Sequence, residues 1–418
     1  MADVQNIFEL RKQPVEYFDW QTFLITALSI TMGLISIYSA TYDAGMSTYF
    51  FKQLIYAGVG IGVMLVLMVM PERWLQAYSL AFYIFIILLL ITVLIFGKTI
   101  YGTRGWFQIG SFSIQPSEFA KLAALNLIAT HISRKGTDIK TFRDFGIVLT
   151  IILAPFVLIL MEPDFGTATV MLALLIGILF WTGFDLLVLF FVISLPIVIL
   201  MSLVSPVHFV AAVAVYSIAA ALMRKKVLLT FATILIIFVA GYTSPMIIDN
   251  LMPHQKNRID TFLNPDKDPL GKGYNVIQSK LAVGSGGLTG KGFLHGTQTQ
   301  LRYIPKQWTD FIYCVPSEEF GFVGGVLVIV LLSSVILKAT KAAFESENKY
   351  FSLLSFGIAT VFFYHTIINI GMVLGLMPVM GIPLPFMSYG GSALIVNCAF
   401  IGLLLNAYRS QKIKIQNK

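Results

Sequence analysis

Apolar runs that approach the length of a bilayer crossing recur along this chain, and they leave it few ways to fold. A hydrocarbon core about 30 Å thick asks for roughly 20 apolar residues per helix. Read in order, the runs predict about twelve spans. They lie near residues 20–40, 49–70, 75–96, 117–131, 145–160, 167–181, 186–204, 209–223, 227–242, 320–337, 351–371 and 393–407. Only 12% of the 418 residues are charged, about half the share in a soluble domain. No strand-by-strand alternation marks a membrane barrel, so helices are the spanning option left. The expected fold class is all-α: a polytopic helical membrane protein with a large loop on its outer side.

Sidedness follows from Lys and Arg, which concentrate in cytoplasmic loops. Arg11 and Lys12 precede the first span, Arg73 follows the second, and Arg134, Lys135, Lys140 and Arg143 follow the fourth. Arg224, Lys225 and Lys226 divide the eighth span from the ninth, and Arg409, Lys412, Lys414 and Lys418 close the chain. Both termini are therefore expected in the cytoplasm, and no cleavable signal peptide is expected at the polar N-terminus. The net charge of +8 reports this bias and an attraction to anionic lipid. No basic face interleaved with aromatics points to nucleic acid. Cys314 and Cys398 form neither a disulfide framework nor a zinc spacing.

The boundaries predicted are an N-terminal bundle over 1–246, an outer loop over 247–319, and C-terminal helices over 320–418. The outer loop is polar yet rich in aromatics and in irregularly placed glycines, unlike a disordered linker. The same sidedness puts Arg104, Glu118, Lys121, Glu162, Asp164 and the Ser388–Gly391 stretch on that outer side. Lys98 and Arg104 there breach the positive-inside pattern, a hint of function.

Glu118 and Lys121 are three apart on one helix face. They are either a local ion pair in an apolar setting or a pair lining a polar cavity. Asp164 suits a helix N-cap; with Glu162 it offers two carboxylates, too few to define a metal site. Asp268 sits in NPDKDPLGKGY, which is ordinary turn chemistry. Gly271 and Gly273 allow close backbone approach, Lys267 and Lys272 favour an anion, and a carboxylate held there is a candidate general base. The stretch SGGLTGKG lacks the spacing of a nucleotide-binding loop, and that function is excluded. The five histidines have no metal spacing and are expected to be structural. Asn369 suits an interhelical hydrogen bond, and Pro378, Pro383 and Pro385 suit a re-entrant turn buried in protein. An enzyme facing outward has no nucleotide to draw on, so its substrate must carry its own activation. A lipid-linked diphosphate sugar does so; a transporter with about twelve spans fits the same pattern.

The residues also resemble a known family. The stretch from Gln255 to Tyr313, with IQPSEFAKL, EPDFGTA and GLMPVMGIPLPFMSYGGSA, resembles the SEDS family (shape, elongation, division and sporulation). The wording of IQSKLAVGSGGLTGKGFLHGTQTQL is closer to its elongation branch than to its division branch. The resemblance implies a peptidoglycan glycosyltransferase that polymerises lipid II. It assigns Asp268 as the general base for the acceptor's 4-hydroxyl, with undecaprenyl diphosphate leaving and inversion from α to β. It implies a substrate cavity with Glu118, Lys121, Asp164, Arg258, Gln278, Lys280 and Ser388. It implies a class B penicillin-binding protein transpeptidase as partner within the elongation machinery, and leaves room for a divalent cation (Mg or Mn). A lipid II flippase, a division role and a non-catalytic scaffold are the alternatives. The chain departs from the family in a surplus pair of spans near 209–242 and in the position of Arg104, whose family role is not carried over.

Overall fold

The computed structural model describes residues 17–42, 47–100, 103–110, 112–223, 227–249, 272–301, 303–305 and 307–416. Asp268 and Arg258 lie outside the described residues, as does the Arg224–Lys226 cluster. The first half comprises α1 (Trp20–Thr41), α2 (Ser47–Val69), α3 (Glu72–Ala77), α4 (Ser79–Phe96), β1 (Lys98–Ile100), β2 (Thr103–Ile109), β3 (Phe112–Ile114), α5 (Pro116–Ser133), α6 (Phe142–Met161) and α7 (Phe165–Trp181). Then come α8 (Leu186–Val204), α9 (Pro206–Leu222), α10 (Val227–Asp249), α11 (Lys272–Ser285), α12 (Thr297–Gln300), α13 (Cys314–Glu319), α14 (Gly321–Glu345), α15 (Lys349–Val373) and α16 (Gly391–Gln416).

Every predicted span is a helix. Nine helices among the described residues are long and apolar enough to cross a membrane, and α7 and α9 are shorter apolar helices. The remaining predicted span, α5, carries Glu118, Lys121, Asn126 and His131. It is buried at every position but Phe119, His131 and Ser133. A helix enclosed by other helices faces no lipid, so it need not be apolar throughout.

The chain forms two compact units, Met1–Ile178 with Asn275–Lys418, and Leu179–Tyr274. In the first, α2 packs along α16, α14 against α15, and α5 against α4 and α15. Glycines bring these backbones close: a side chain at Gly402 would strike the α2 backbone at Met64, and one at Gly357 would strike Leu125 of α5. Small residues at such crossings let van der Waals contact replace the missing hydrophobic drive. In the second unit, α8, α9 and α10 close on a core of Leu187, Val198, Phe209, Tyr216, Ala220 and Ile237. Phe190 stacks on Tyr216 at 5.1 Å, and Gly241 gives room to the Phe209 ring. The surplus pair of helices thus shares a core with α8.

The segment after α4 is a three-stranded antiparallel sheet with β2 central, which the hydropathy pattern did not suggest. It explains Arg104. The guanidinium donates to the carbonyls of Ile95 (2.7 Å) and Gly97 (3.2 Å) at the C-terminal end of α4. A cation satisfies the unpaired carbonyls and the negative end of that helix. Arg104 caps that helix, which gives its placement a structural reason.

The segment between α11 and α14 is held by glycines. Gly286 lies against the Ser317 carbonyl and Gly290, at φ +84°, against the Glu319 carbonyl. Lys291 and Gly292 donate backbone N–H groups to Glu318 and Glu319. The glycine-rich stretch is therefore a docking turn on α13. Between α15 and α16 the backbone is irregular, yet Ile382, Leu384, Phe386 and Met387 are buried. Asn369 of α15 donates to the carbonyls of Asp310 (2.8 Å) and Ile382 (2.7 Å). Irregular backbone persists inside a bundle only where such partners satisfy it.

We expect Gly286→Ala to lower stability by about 2 kcal/mol or more, because the Cβ meets backbone that cannot move aside. Gly284→Ala, with open space around it inside α11, should leave stability unchanged or raise it by roughly 0.5–1 kcal/mol. Thermal unfolding of the two variants in detergent distinguishes these outcomes.

Candidate active site

Helices α5 and α7 begin side by side. Gln115 is the residue before α5, and Pro116 opens the helix, where a missing N–H costs nothing. The Gln115 side chain donates to Asp164 Oδ2 at 3.1 Å, and its backbone N–H donates to Ser392 Oγ at 2.9 Å. Asp164 caps α7: the Thr167 N–H donates to Oδ1 at 3.0 Å and the Thr167 hydroxyl to Oδ2 at 2.8 Å. Burial pushes its carboxyl above the ordinary aspartate range, against the opposing pull of Thr167. Two helix N-termini, each the positive end of a helix dipole, thus meet here.

One turn into α5 lies the buried charge pair. Lys121 Nζ is 2.7 Å from Glu118 Oε2, with Lys121 1% and Glu118 2% exposed. A third group completes it. His365 of α15 places Nε2 3.2 Å from Lys121 Nζ, and its Nδ1 is 3.0 Å from the Pro383 carbonyl. The Glu118 and Lys121 charges both act on Asp164, so the three belong to one electrostatic neighbourhood. Beside it, Glu162 is fully buried beneath β2, with both oxygens lacking hydrogen-bond partners among the described residues. Gly105 lies directly over Oε2. Burial, and then the Asp164 charge, push Glu162 up to about 8.

A second cluster fixes the segment between α11 and α14. Glu318 is 0% exposed. Its oxygens accept from Lys291 Nζ (2.7 Å), the Gln298 N–H (2.8 Å) and the Thr299 N–H (2.9 Å). Burial alone would raise this carboxyl, but these donors hold it below the ordinary glutamate range. Glu319 accepts from the Ser39 hydroxyl and from Gln300 Nε2 (3.2 Å), joining the segment to α1. Burial, opposed by these donors, leaves its carboxyl raised.

Glu118, Lys121 and Asp164 are therefore brought together. Ser388 is placed elsewhere in role: its hydroxyl accepts from the Leu384 N–H at 2.8 Å, and its carbonyl from Gln53 at 3.2 Å, locking the buried irregular segment. Gln278 and Lys280 both lie on α11, with the Lys280 chain over Gly375. Asp268 and Arg258 lie outside the described residues. His365 and Gln115 were missed. Gln115 is the second residue of the IQPSEFAKL motif and was within reach; His365 is 244 positions from its partner, a pairing that no local pattern discloses. Among the described residues no three His, Cys, Asp or Glu side chains converge. Asp164 is engaged by Thr167 and Gln115, and Glu162 is covered by Gly105. The described residues thus do not fit a resident divalent cation.

The chain matches the family model for FtsW, RodA and SpoVE, described as cell cycle protein, over residues 19–227 and 208–413. It is similar to "Peptidoglycan glycosyltransferase RodA" of Treponema pallidum, at 34% identity over 95% of this chain and 99% of that protein. It is also similar to "Stage V sporulation protein E" of Bacillus subtilis, at 35% identity over 92% and 95%. Among solved structures, a chain from "Structural coordination of polymerization and crosslinking by a peptidoglycan synthase complex" superposes with a TM-score of 0.71. It is 29% identical and covers 94% of this chain and 98% of that one.

The Glu162 carboxyl sets a pH dependence. Its folded form keeps a proton that the unfolded chain has released by about pH 5, so stability should fall as pH rises from about 5 through 8. Glu162→Gln should remove most of that fall, on the order of 4 kcal/mol for a rise from 4.5 to about 8, since the amide has no proton to lose. Thermal unfolding across this pH range measures both slopes.

Proposed function

The chain belongs to the FtsW/RodA/SpoVE (SEDS) family and is a multi-pass membrane peptidoglycan glycosyltransferase, and from that premise we propose that it polymerises lipid II on the outer face of the membrane. In this reading Asp268 accepts the proton of the acceptor sugar's 4-hydroxyl. The oxygen attacks the donor's anomeric carbon, the bond to the diphosphate breaks, and undecaprenyl diphosphate leaves with the electron pair. One displacement inverts the centre from α to β. The leaving group is already ionised and needs no proton, but its charge must be met as it forms.

The observation that carries this reading is the buried Lys121 cation, held one turn inside α5 beside the N-terminus of α7. A fixed ammonium and two helix dipole ends stabilise a developing anion without reorganising, and in a low-dielectric setting they act strongly. The carboxylate on the acceptor side and the cation on the leaving side divide the two halves of the displacement. Lys280, Gln278 and Arg258 are proposed to line the remaining cavity, and Asp164 to hold its floor through Gln115.

The elongation role is part of the proposal. It is supported by the wording of the outer segment, whereas the overall identities to RodA and to the sporulation protein are nearly equal. A class B penicillin-binding protein is the proposed partner, supported by the likeness to a chain solved within a peptidoglycan synthase complex. Cytoplasmic termini are supported by the distribution of Lys and Arg.

Purified protein with its transpeptidase partner and labelled lipid II should make glycan strands. Asp268→Asn should lower the rate by about 100-fold or more, since general-base removal typically costs 10²–10⁴. No strands from the wild type, together with lipid II crossing the bilayer of reconstituted vesicles, would assign the chain to transport instead.

A further inference from the structure

We propose that His365 is a positioning residue for Lys121, acting as a neutral imidazole whose Nε2 lone pair fixes the direction of the ammonium. This rests on the reading of Lys121 given above. A carbonyl only accepts hydrogen bonds. The 3.0 Å contact of Nδ1 with the Pro383 carbonyl therefore puts the ring proton on Nδ1. Nε2 faces the Lys121 ammonium at 3.2 Å, and because an ammonium only donates, Nε2 must be bare and accept from it. His365 is 2% exposed, and α15 holds the ring rigidly.

An ammonium on a four-carbon stem rotates freely and has three donors. Glu118 takes one at 2.7 Å and His365 takes a second. With two directions set, the third N–H is fixed in space and left for an anionic oxygen of the diphosphate. Glu118 alone, from the same helix, would leave the four-carbon stem free to swing the ammonium about that one contact. His365 does a further thing. Through Pro383 it joins the ammonium to the buried irregular segment between α15 and α16, which Asn369 and Gln53 also brace. The position of the charge is thus set by α5, α15 and that segment together.

Two substitutions separate this role from a merely structural one. Gln at 365 reaches the place of Nε2 with an oxygen that accepts from Lys121, but gives up the tie to Pro383. Asn reaches the place of Nδ1 and keeps the Pro383 tie, but leaves Lys121 without its second acceptor. With lipid II as substrate, His365→Gln should keep polymerisation within about threefold of wild type. His365→Asn should lose about 100-fold in kcat, the order of cost of an ångström-scale misplacement, with KM and Tm little changed. In a Lys121→Met background, His365→Asn should cause no further loss. Equal or greater activity in the Asn variant than in the Gln variant would overturn the proposal. Should the Asn protein fail to fold, His365→Gln beside His365→Leu decides: activity in the first alone supports the role, and equal activities overturn it. If Lys121→Met polymerises at the wild-type rate, the role of Lys121 falls and that of His365 with it, whereas Asp268→Asn still reports on the reaction itself.

Discussion

A lysine ammonium held away from water is the constraint around which this bundle is arranged. Removing an ammonium and a carboxylate from water costs several kcal/mol per ion, and mutual attraction offsets this only when geometry and hydrogen bonds are favourable. Lys121 satisfies the requirement with Glu118 on its own helix and His365 from α15. A buried ion pair is rarely the cheapest way to fill space, because an apolar pair of similar volume often does as well or better. Its presence in a helix buried at all but three positions therefore points to use rather than to stability.

The neighbouring structure follows from keeping that charge in place. Helix α5 is enclosed on nearly every face, which the close glycine contacts of α15 permit. Its N-terminus is tied to that of α7 through Gln115 and Asp164, so two positive helix ends converge near the ammonium. The irregular segment before α16 would expose unpaired carbonyls inside the bundle. Side chains of α2 and α15 satisfy them, and His365 does so with the ring nitrogen opposite the one that faces Lys121. Between α11 and α14, Glu318 collects donors from Lys291 to Thr299 and folds the segment onto α13. This end of the segment is thus built from one fully partnered carboxylate and two close glycine contacts.

Much of this was legible in the residues. Most spans could be placed because burying a backbone in lipid forces long apolar runs, and nine of the described helices are of that kind. Asp164 was recognisable as a cap, and the 118/121 spacing as a pair on one helix face. Other features were not legible, each for a physical reason. The small sheet at 98–114 is held by backbone pairing and has no buried alternating face to mark it. Arg104 looked exceptional because charge counting does not see a helix end, and only the structure places its guanidinium on the carbonyls of α4. His365 looked like an isolated histidine because its partners come from α5 and from a proline carbonyl. Glu162 was visible only as half of a weak metal pair; its enclosure under Gly105 depends on where β2 runs.

The central claim is that Lys121 is the cation that meets the leaving diphosphate. Binding of farnesyl diphosphate, a short-chain form of that leaving group, tests it without requiring turnover. By titration in detergent, Lys121→Met should bind it about 10- to 100-fold more weakly than wild type, or roughly 1.4–2.8 kcal/mol. Farnesol, which has no charge to meet, should bind both proteins alike. Equal affinity of the two proteins for the diphosphate would contradict the account.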